Sequence, residues 1–269
     1  MAETRARRAH LIAGGFPPGA MGGHDHDYAR LKLLGVLAER EIPASVANDF
    51  VDVEKWLPVS GFLISYVAGP YPDAGQTDVI RRWLEAGGHW LALHGTSGGR
   101  AQRVEGMRMR RTVKTEHHAL LGSYFLTHPP IREFRVDVSP FASPLTQGLG
   151  SSFVVEDEPY FIELQDPATT QILLTAQYGP DAAAATAGLY PADTSLLPDG
   201  KTRVIAYTRD VGIGRVAYIA LGHCHNPAVR AARTAADPAD TTPPTFRAPW
   251  ETSGFVTFFR NAIAWGVGD

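Results

Sequence analysis

The sequence predicts an α/β fold with a mostly parallel sheet, on the strength of three observations. Short apolar runs alternate with helical segments along the first part of the chain, and glycine- or proline-rich turns separate them. A strand–helix–strand rhythm of this kind folds as right-handed βαβ crossovers, which build a parallel sheet. The 269 residues, 44% of them hydrophobic, are enough to fill the core of such a domain.

The elements of the parallel part follow one another closely. The predicted strands are His10–Gly15, Ala44–Ala47, Gly61–Val67 and Trp90–Leu93. The helix after the first strand presents Leu31, Leu34 and Leu37 on one side, which is the stripe of a helix packed on a sheet. We expect Asp27 to cap it. A second helix, Asp78–Ala86, runs into glycines that end a helix at low cost.

Later segments predict an antiparallel extension of the sheet. The predicted strands there are Ile131–Val138, Ser151–Leu164, Gln171–Gln177, Arg203–Thr208 and Arg215–Leu221, of which the last two form a hairpin. Helices are predicted at Glu116–Gly122 and Ser253–Trp265, and the basic stretch Arg100–Lys114 is expected to be a solvated surface segment. We expect a single domain over 1–269, with inserted loops near 179–200 and 226–249.

Composition narrows the function classes. A net charge of -3 gives no reason to expect a nucleic-acid partner, and no apolar run is long enough to cross a bilayer. The leader Met1–Arg8 has no apolar core behind it, so it does not read as a secretory signal. The single cysteine, Cys224, excludes an internal disulfide framework and suits a reducing compartment. We therefore expect a cytoplasmic protein that acts on a small molecule.

Histidines and acids recur where predicted strands end. His94 follows the apolar strand Trp90–Leu93 directly, and ligands of open α/β sheets collect beyond the carboxyl ends of strands. Other residues in comparable places are His24, His26, Glu158, Tyr160, His223 and His225. This shared placement predicts one cleft at the sheet edge, in which side chains from distant parts of the chain meet.

Three chemistries fit these residues. The first is acid–base catalysis by His94, Glu158 and His223, because imidazole exchanges protons near neutral pH and a carboxylate beside it raises its basicity. In the second, some of a larger set hold a divalent metal such as zinc or manganese; that set is His24, Asp25, His26, His94, Glu158 and His223. No spacing here matches a recognised metal signature, so the sequence establishes no cofactor and leaves the metal open.

The third chemistry is that of a serine hydrolase. Gly95-Thr96-Ser97-Gly98-Gly99 matches G-x-S-x-G directly after a strand, and Glu158 and His223 follow in the α/β-hydrolase order. The motif is short, and chance matches in glycine-rich turns are common. No HGGG-type oxyanion segment accompanies it.

Five segments together resemble the trehalose-utilisation, or ThuA-like, family, and the likeness runs over most of the chain. The segments are Gly87–His94, Leu121–Pro129 with the pattern G-x-x-F-x-x-H-P, Pro144–Leu149, Asp157–Tyr160 and Gly214–His223. The resemblance implies a variant of the class I glutamine amidotransferase fold. This is a flavodoxin-like three-layer sandwich with helices on both faces of the sheet.

The resemblance also implies a substrate class. Amidotransferases carry a nucleophilic cysteine at the turn occupied here by His94, and Cys224 lies in another segment, so glutaminase chemistry is not expected. The implied substrate is a sugar, a trehalose-like disaccharide or its keto derivative. Whether the enzyme would be a lyase, an isomerase or a hydrolase is left open.

A sugar site needs paired donors and acceptors together with an aromatic face. We assign substrate binding to His24, Ser97, His118, His128 and Tyr160. A His/Glu pair supplies the base and the proton donor that enolisation of a keto-sugar requires. The alternative from another class is a non-catalytic sugar-binding protein with an enzyme-like fold, and homo-oligomerisation is left open.

Overall fold

A computed structural model describes residues 6–15, 23–103, 105, 110–178, 190, 192–229 and 243–269. The strands are β1 (Ala9–Gly14), β2 (Ala44–Ala47), β3 (Phe62–Val67), β4 (His89–Leu93), β5 (Ala101–Arg103), β6 (Arg110–Thr112), β7 (Ser123–Thr127), β8 (Arg132–Val138), β9 (Ser152–Asp157), β10 (Phe161–Leu164), β11 (Thr170–Gln177), β12 (Thr202–Val211) and β13 (Gly214–Ile219). The helices are α1 (His26–Glu39), α2 (Val53–Trp56), α3 (Ala74–Glu85), α4 (Glu116–Leu121), α5 (Ala248–Glu251) and α6 (Ser253–Val267).

The central sheet has nine strands in the order β2-β1-β3-β4-β13-β12-β11-β8-β9. Strands β2, β1, β3, β4 and β13 pair in parallel, so their carboxyl ends meet at one edge. From β13 outward the pairing is antiparallel through β12, β11, β8 and β9. The predicted α/β class, with its parallel sheet and antiparallel extension, is confirmed.

Helices cover both faces of the sheet because the parallel strands are apolar on both sides. Along β4, Leu91 and Leu93 pack with α1 and α6, whereas Trp90 and Ala92 pack on the opposite face with α2, α3 and α4. This alternation is the period-two pattern of a strand. The three layers of the flavodoxin-like arrangement follow from it.

The turn after β4 is held against β3 by a glycine. A Cβ at Gly95 would lie 2.4 Å from the carbonyl oxygen of Val67, so only glycine lets the chain return at this point. The residues His94–Ser97 form a single 3₁₀ turn. This turn fixes the direction in which His94 points.

Several element boundaries differ from the sequence predictions. The segment predicted as one strand over Ser151–Leu164 is two strands, β9 and β10, which belong to different sheets and are separated by Glu158, Pro159 and Tyr160. Proline lacks the backbone N–H that a continuous ladder requires. The break places Glu158 outside the ladder of β9.

Other differences are local. The α1 cap is Asp25 and not Asp27, because the Asp25 side chain accepts from the Tyr28 N–H. Strand β7 pairs with β10 although no strand was predicted there. Within the basic stretch, β5 and β6 form a hairpin.

Of the two expected loops, 179–189, 191 and 230–242 lie outside the described residues, as do residues 1–5 of the leader. None of the helices in the described ranges combines the length and the hydrophobicity of a membrane-spanning segment.

Candidate active site

Four side chains from distant parts of the chain converge at the carboxyl edge of the parallel strands. They are His24, His94, Glu158 and His223, and one ligand atom from each lies within 4.8 Å of the others. His94 follows β4 and His223 follows β13, which are neighbours in the sheet. Glu158 follows β9, and His24 precedes α1. We call this group the edge cluster.

His94 is held in one orientation and one tautomer. Its φ is +43°, a left-handed value that non-glycine residues seldom adopt and that is often found at functional sites. The ring Nδ1 lies 2.7 Å from the carbonyl oxygen of Ala220. A carbonyl only accepts, so Nδ1 carries the proton and Nε2 keeps a lone pair. Burial lowers the pKa of His94 to about 3, which keeps the ring neutral.

His223 is oriented by a chain of hydrogen bonds. His225 Nε2 donates to the carbonyl oxygen of Pro243 at 2.9 Å, which leaves His225 Nδ1 as an acceptor in the neutral ring. His223 Nε2 therefore donates to that Nδ1, also at 2.9 Å. The remaining nitrogen of His223, Nδ1, carries a lone pair that faces Glu158.

The Glu158 carboxylate meets these rings while it is itself only 3% exposed. Its Oε2 lies 3.2 Å from His223 Nδ1 and 3.9 Å from His94 Nε2. Neither ring nitrogen makes a hydrogen bond to any described residue, so the 3.2 Å contact lacks the alignment of one. Oε1 lies 3.1 Å from Nδ1 of His128, whose side chain is 28% exposed. Of the four side chains His94, Glu158, His223 and His128, that of His128 is the most exposed to solvent.

Asp157 fixes the backbone on which Glu158 and His223 stand. One carboxylate oxygen accepts from Gly222 N at 2.7 Å; the other accepts from His223 N at 3.1 Å and from Glu158 N at 2.7 Å. Burial raises the pKa of Asp157 to about 7, although these backbone hydrogen bonds and nearby His223 lower it. Asp157 thus links two strand ends at the edge cluster.

His24 is brought to the edge cluster by the residue that follows it. The Asp25 N–H donates to the carbonyl oxygen of Cys224 at 2.8 Å, and this staples the loop before α1 to the segment of His223. The ring of His24 lies 5.0 Å, between centroids, from those of both His94 and His223. Burial lowers the pKa of His24 well below its ordinary value.

Tyr160 closes the side of the edge cluster next to His128. Its ring centroid lies 3.9 Å from that of His94, and its hydroxyl lies 3.3 Å from Nε2 of His24. The rings of Tyr160 and His128 are stacked at 5.7 Å. An aromatic ring and several polar atoms therefore lie together on the His128 side of the edge cluster.

Two residues assigned to substrate binding lie behind the turn. The Ser97 hydroxyl, fully buried, lies 2.8 Å from the Tyr218 hydroxyl and 3.4 Å from the carbonyl oxygen of His94. His118 Nε2 donates to the Gly98 carbonyl oxygen at 3.0 Å, and its Nδ1 accepts from Thr115 N at 2.9 Å. These contacts serve the turn itself, so we leave both residues out of the proposed substrate contacts.

The serine-hydrolase arrangement is not assembled by these contacts, since those of the Ser97 hydroxyl run to a tyrosine and a carbonyl. The two further candidate metal ligands, Asp25 and His26, contribute no ligand atom to the edge cluster. Asp25 caps α1 and pairs with Arg247 at 3.3 Å. His26 is the first residue of α1, and burial lowers its pKa to about 4.

The sequence did not reveal the supporting parts, His225 and Asp157. The spacing of His223 and His225 drew attention to both rings, but it did not indicate that one orients the other. Asp157 was one of three acids in a row, and nothing in that run indicated which acid turns inward. These roles depend on contacts between segments far apart in the chain.

The edge cluster is suited to holding a cation or moving a proton. His94 Nε2 and His223 Nδ1 face the Glu158 carboxylate, so electron-rich atoms meet there unless a proton or a cation lies between them. A buried set of this kind gains stability from a proton or from a metal ion placed among the acceptors. Next to the cluster, the His128 side chain is 28% exposed and in contact with Glu158.

Comparison with known proteins agrees with this architecture. A family model described as ThuA, trehalose utilisation, matches residues 44–234. None of the curated proteins matches the chain. Among solved structures, a ThuA-like protein from Parabacteroides merdae ATCC 43184 superposes with a TM-score of 0.62 at 14% identity, over 98% of this chain and 90% of its own.

Two further structures share the fold. A ThuA-like protein from Bacteroides uniformis ATCC 8492 gives a TM-score of 0.55 at 17% identity, over 82% of this chain and 84% of its own. The β-galactosidase of Rahnella sp. R3 gives 0.52 at 15% identity, over 81% of this chain but only 29% of the enzyme. At these identities the likeness concerns the fold alone.

Proposed function

The chain belongs to the ThuA trehalose-utilisation family, and on that premise we propose that it is an enzyme acting on a trehalose-like disaccharide or its keto derivative. The observation that carries the proposal is the convergence of two lone-pair-bearing imidazoles, His94 and His223, on the buried carboxylate of Glu158. Acid–base chemistry needs such groups within reach of one reacting atom. A protein that only bound sugar would gain nothing from burying them.

The substrate is proposed to enter beside His128 and Tyr160. His128 is 28% exposed at its side chain, while the side chains of His94 and His223 are fully buried. The buried Tyr160 ring packs on His94 and His128, and its hydroxyl stands next to His24 as a polar contact for a sugar hydroxyl. His24, His128 and Tyr160 therefore form the proposed contact set, with His94, Glu158 and His223 beneath it.

For a keto-sugar, the proposed step is enolisation. The C–H bond next to the carbonyl breaks, its proton passes to a base of the edge cluster, and its electron pair forms the carbon–carbon double bond. The carbonyl oxygen gains a proton from a second group, for which His128 is placed by its contact with Glu158. Collapse of the enediol then gives isomerisation, or loss of a leaving group gives elimination.

The test is product analysis with trehalose and its keto derivative as substrates. Glu158→Gln and His94→Gln are each expected to lower turnover about 100- to 10,000-fold, the range that a positioned acid or base contributes. The matched control is His89→Gln, which changes a histidine at the opposite end of β4, where the ring stacks on Trp265.

Wild-type turnover retained in both Glu158→Gln and His94→Gln would sink the acid–base proposal. Sugar binding by the wild type without any product would instead favour the non-catalytic alternative. Melting temperatures of all variants would be recorded alongside, so that loss of folding is not taken for loss of chemistry.

A further inference from the structure

We infer that the edge cluster of His24, His94, Glu158 and His223 binds a divalent transition-metal ion, with zinc preferred. The inference deepens the proposed function, since it concerns the same site, but its evidence is the geometry of the cluster and not the identity of the sugar. Four donor atoms from four separate segments lie within 4.8 Å of one another.

One ring nitrogen of His94 and one of His223 point into the edge cluster without a hydrogen-bond partner among the described residues. His94 gives its Nδ1 proton to Ala220, and His223 gives its Nε2 proton to His225. The nitrogen left over on each ring, His94 Nε2 and His223 Nδ1, is fully buried and makes no hydrogen bond to a described residue. Burying unpaired polar atoms is costly, and a coordinated cation removes that cost at both atoms together.

The distances between the ligand atoms of the edge cluster are close to those of a zinc site. Zinc with nitrogen and oxygen bonds of about 2.0–2.2 Å in a tetrahedral site holds its ligand atoms about 3.4 Å apart. Glu158 Oε2 lies 3.2 Å from His223 Nδ1 and 3.9 Å from His94 Nε2. None of the remaining separations is above 4.8 Å, which exceeds that spacing by at most about 1.4 Å. The space between the donors fits an ion and is too small for a sugar ring.

The residues that hydrogen-bond to the cluster members form an outer shell like that of a metal centre. Ligating histidines in metal sites characteristically give their second ring N–H to a carbonyl or another acceptor, which fixes the tautomer. His94 does so to Ala220 O, and His223 does so to His225, which in turn donates to Pro243 O. His128 occupies the second oxygen of Glu158. The supporting contacts of a metal centre are therefore in place around two of its imidazoles and its carboxylate.

The donor set selects the kind of metal. Three imidazoles and one carboxylate suit zinc and other late first-row ions, whereas magnesium and calcium prefer oxygen donors. For the proposed function, such an ion would polarise sugar oxygens that reach it from the side of His128. The cluster residues would then act as metal ligands, and His128 and Tyr160, which lie beside the cluster, would transfer the protons.

The experiment uses the full chain, stripped of metal with a chelator and titrated calorimetrically with Zn²⁺, Mn²⁺ and Mg²⁺. We expect one Zn²⁺ per chain, Mn²⁺ binding at least about tenfold more weakly, and no measurable Mg²⁺ binding. Glu158→Gln and His94→Gln should each weaken Zn²⁺ binding by more than about 100-fold, which exceeds the loss of an outer-shell partner. His89→Gln serves as the matched control and should bind as the wild type does.

Two further readouts protect the result against misfolded variants. Zn²⁺ should raise the melting temperature of the wild type and of His89→Gln, and should fail to raise that of Glu158→Gln. Co²⁺ bound to the wild type should give the strong visible absorption of a four- or five-coordinate ion. A weak octahedral spectrum, no stoichiometric Zn²⁺ binding, or equal affinity in Glu158→Gln and His94→Gln overturns the inference.

The two proposals fail separately. Stoichiometric Zn²⁺ binding without product from any sugar supports the metal site and overturns the proposed sugar chemistry. Sugar turnover that persists in chelator, in protein shown to be free of metal, leaves the acid–base proposal standing and overturns the metal site.

Discussion

Two groups of histidines near the end of β4 differ in what their ring nitrogens meet. The edge-cluster histidines are His24, His94 and His223, and the α4 histidines are His117 and His118. In the second group, Nε2 of His117 donates to the Thr96 carbonyl oxygen at 2.9 Å, and Nε2 of His118 donates to that of Gly98 at 3.0 Å. Both α4 histidines hold the turn that begins at His94.

The difference separates histidines that hold the turn from histidines that face Glu158. Burial lowers the pKa of His94 and of His117 alike, to about 3 in each case, so pKa does not distinguish the two groups. The two groups are distinguished by the direction in which their ring nitrogens point. In His94 and His223, the nitrogen that is not hydrogen-bonded faces the Glu158 carboxylate. The ring of His117 packs instead among Phe50, Tyr71 and Trp90.

The largest expected effect is the loss of folding stability in acid that the α4 histidines cause. Their folded-state pKa values, about 3 for His117 and about 4 for His118, lie below the ordinary value of 6.5. Their contribution to the free energy of unfolding is therefore complete above pH 6.5 and is lost as the pH falls toward 4. Each of these two histidines lowers the free energy of unfolding by up to about 1.4 kcal/mol per pH unit, or by up to about 2.7 kcal/mol between pH 6.5 and 4.5.

Urea unfolding of wild type and His117→Gln at several pH values would measure this. The variant should show a shallower fall in the free energy of unfolding below pH 6.5, while its value at pH 8 is lowered by the lost packing. Parallel curves for the two proteins would show that His117 takes up its proton equally in the folded and unfolded states. Its assignment to the neutral, buried group would then be wrong.

Much of the architecture could be predicted because it depends on local pattern. Strand β4 is a short apolar run bounded by glycines, and the rule for parallel sheets places His94 at the edge where ligands bind. The break at Glu158-Pro159-Tyr160 was missed because Ser151–Leu164 reads as one apolar–polar alternation. The partners of β9 and β10, in different sheets, are set by tertiary packing.

The site could be predicted as a set of residues but not as a geometry. His94, Glu158 and His223 follow from the strand-end rule, and the structure brings them together. Which nitrogen of each ring faces inward depends on Ala220 and His225, and no sequence pattern encodes those contacts. For the same reason His118 and His128 could not be told apart in sequence, although only His128 lies against Glu158.

A smaller effect is expected from the outer shell of the edge-cluster histidines. His225→Phe keeps a ring beside Phe246 but removes the acceptor for His223 Nε2. We expect Zn²⁺ affinity to fall about 10- to 100-fold, or about 1.4–2.8 kcal/mol, because the tautomer of His223 is no longer fixed. His225→Gln supplies a carbonyl acceptor and should restore part of the affinity. Calorimetric titration that finds His225→Phe equal to the wild type would remove His225 from the outer shell.

The smallest effect is expected at His118, where the comparison between the two groups is sharpest. His118→Leu removes the hydrogen bonds with Gly98 and Thr115, and we expect it to lower the free energy of unfolding by about 1–2 kcal/mol. His118→Gln can keep the donor to Gly98 and should lose about half as much. Urea unfolding combined with steady-state kinetics tests both variants. If His118 only supports the turn, KM stays unchanged in His118→Gln. A KM that rises while stability is preserved would instead support the sequence prediction that His118 binds substrate, as is proposed for His24 and His128.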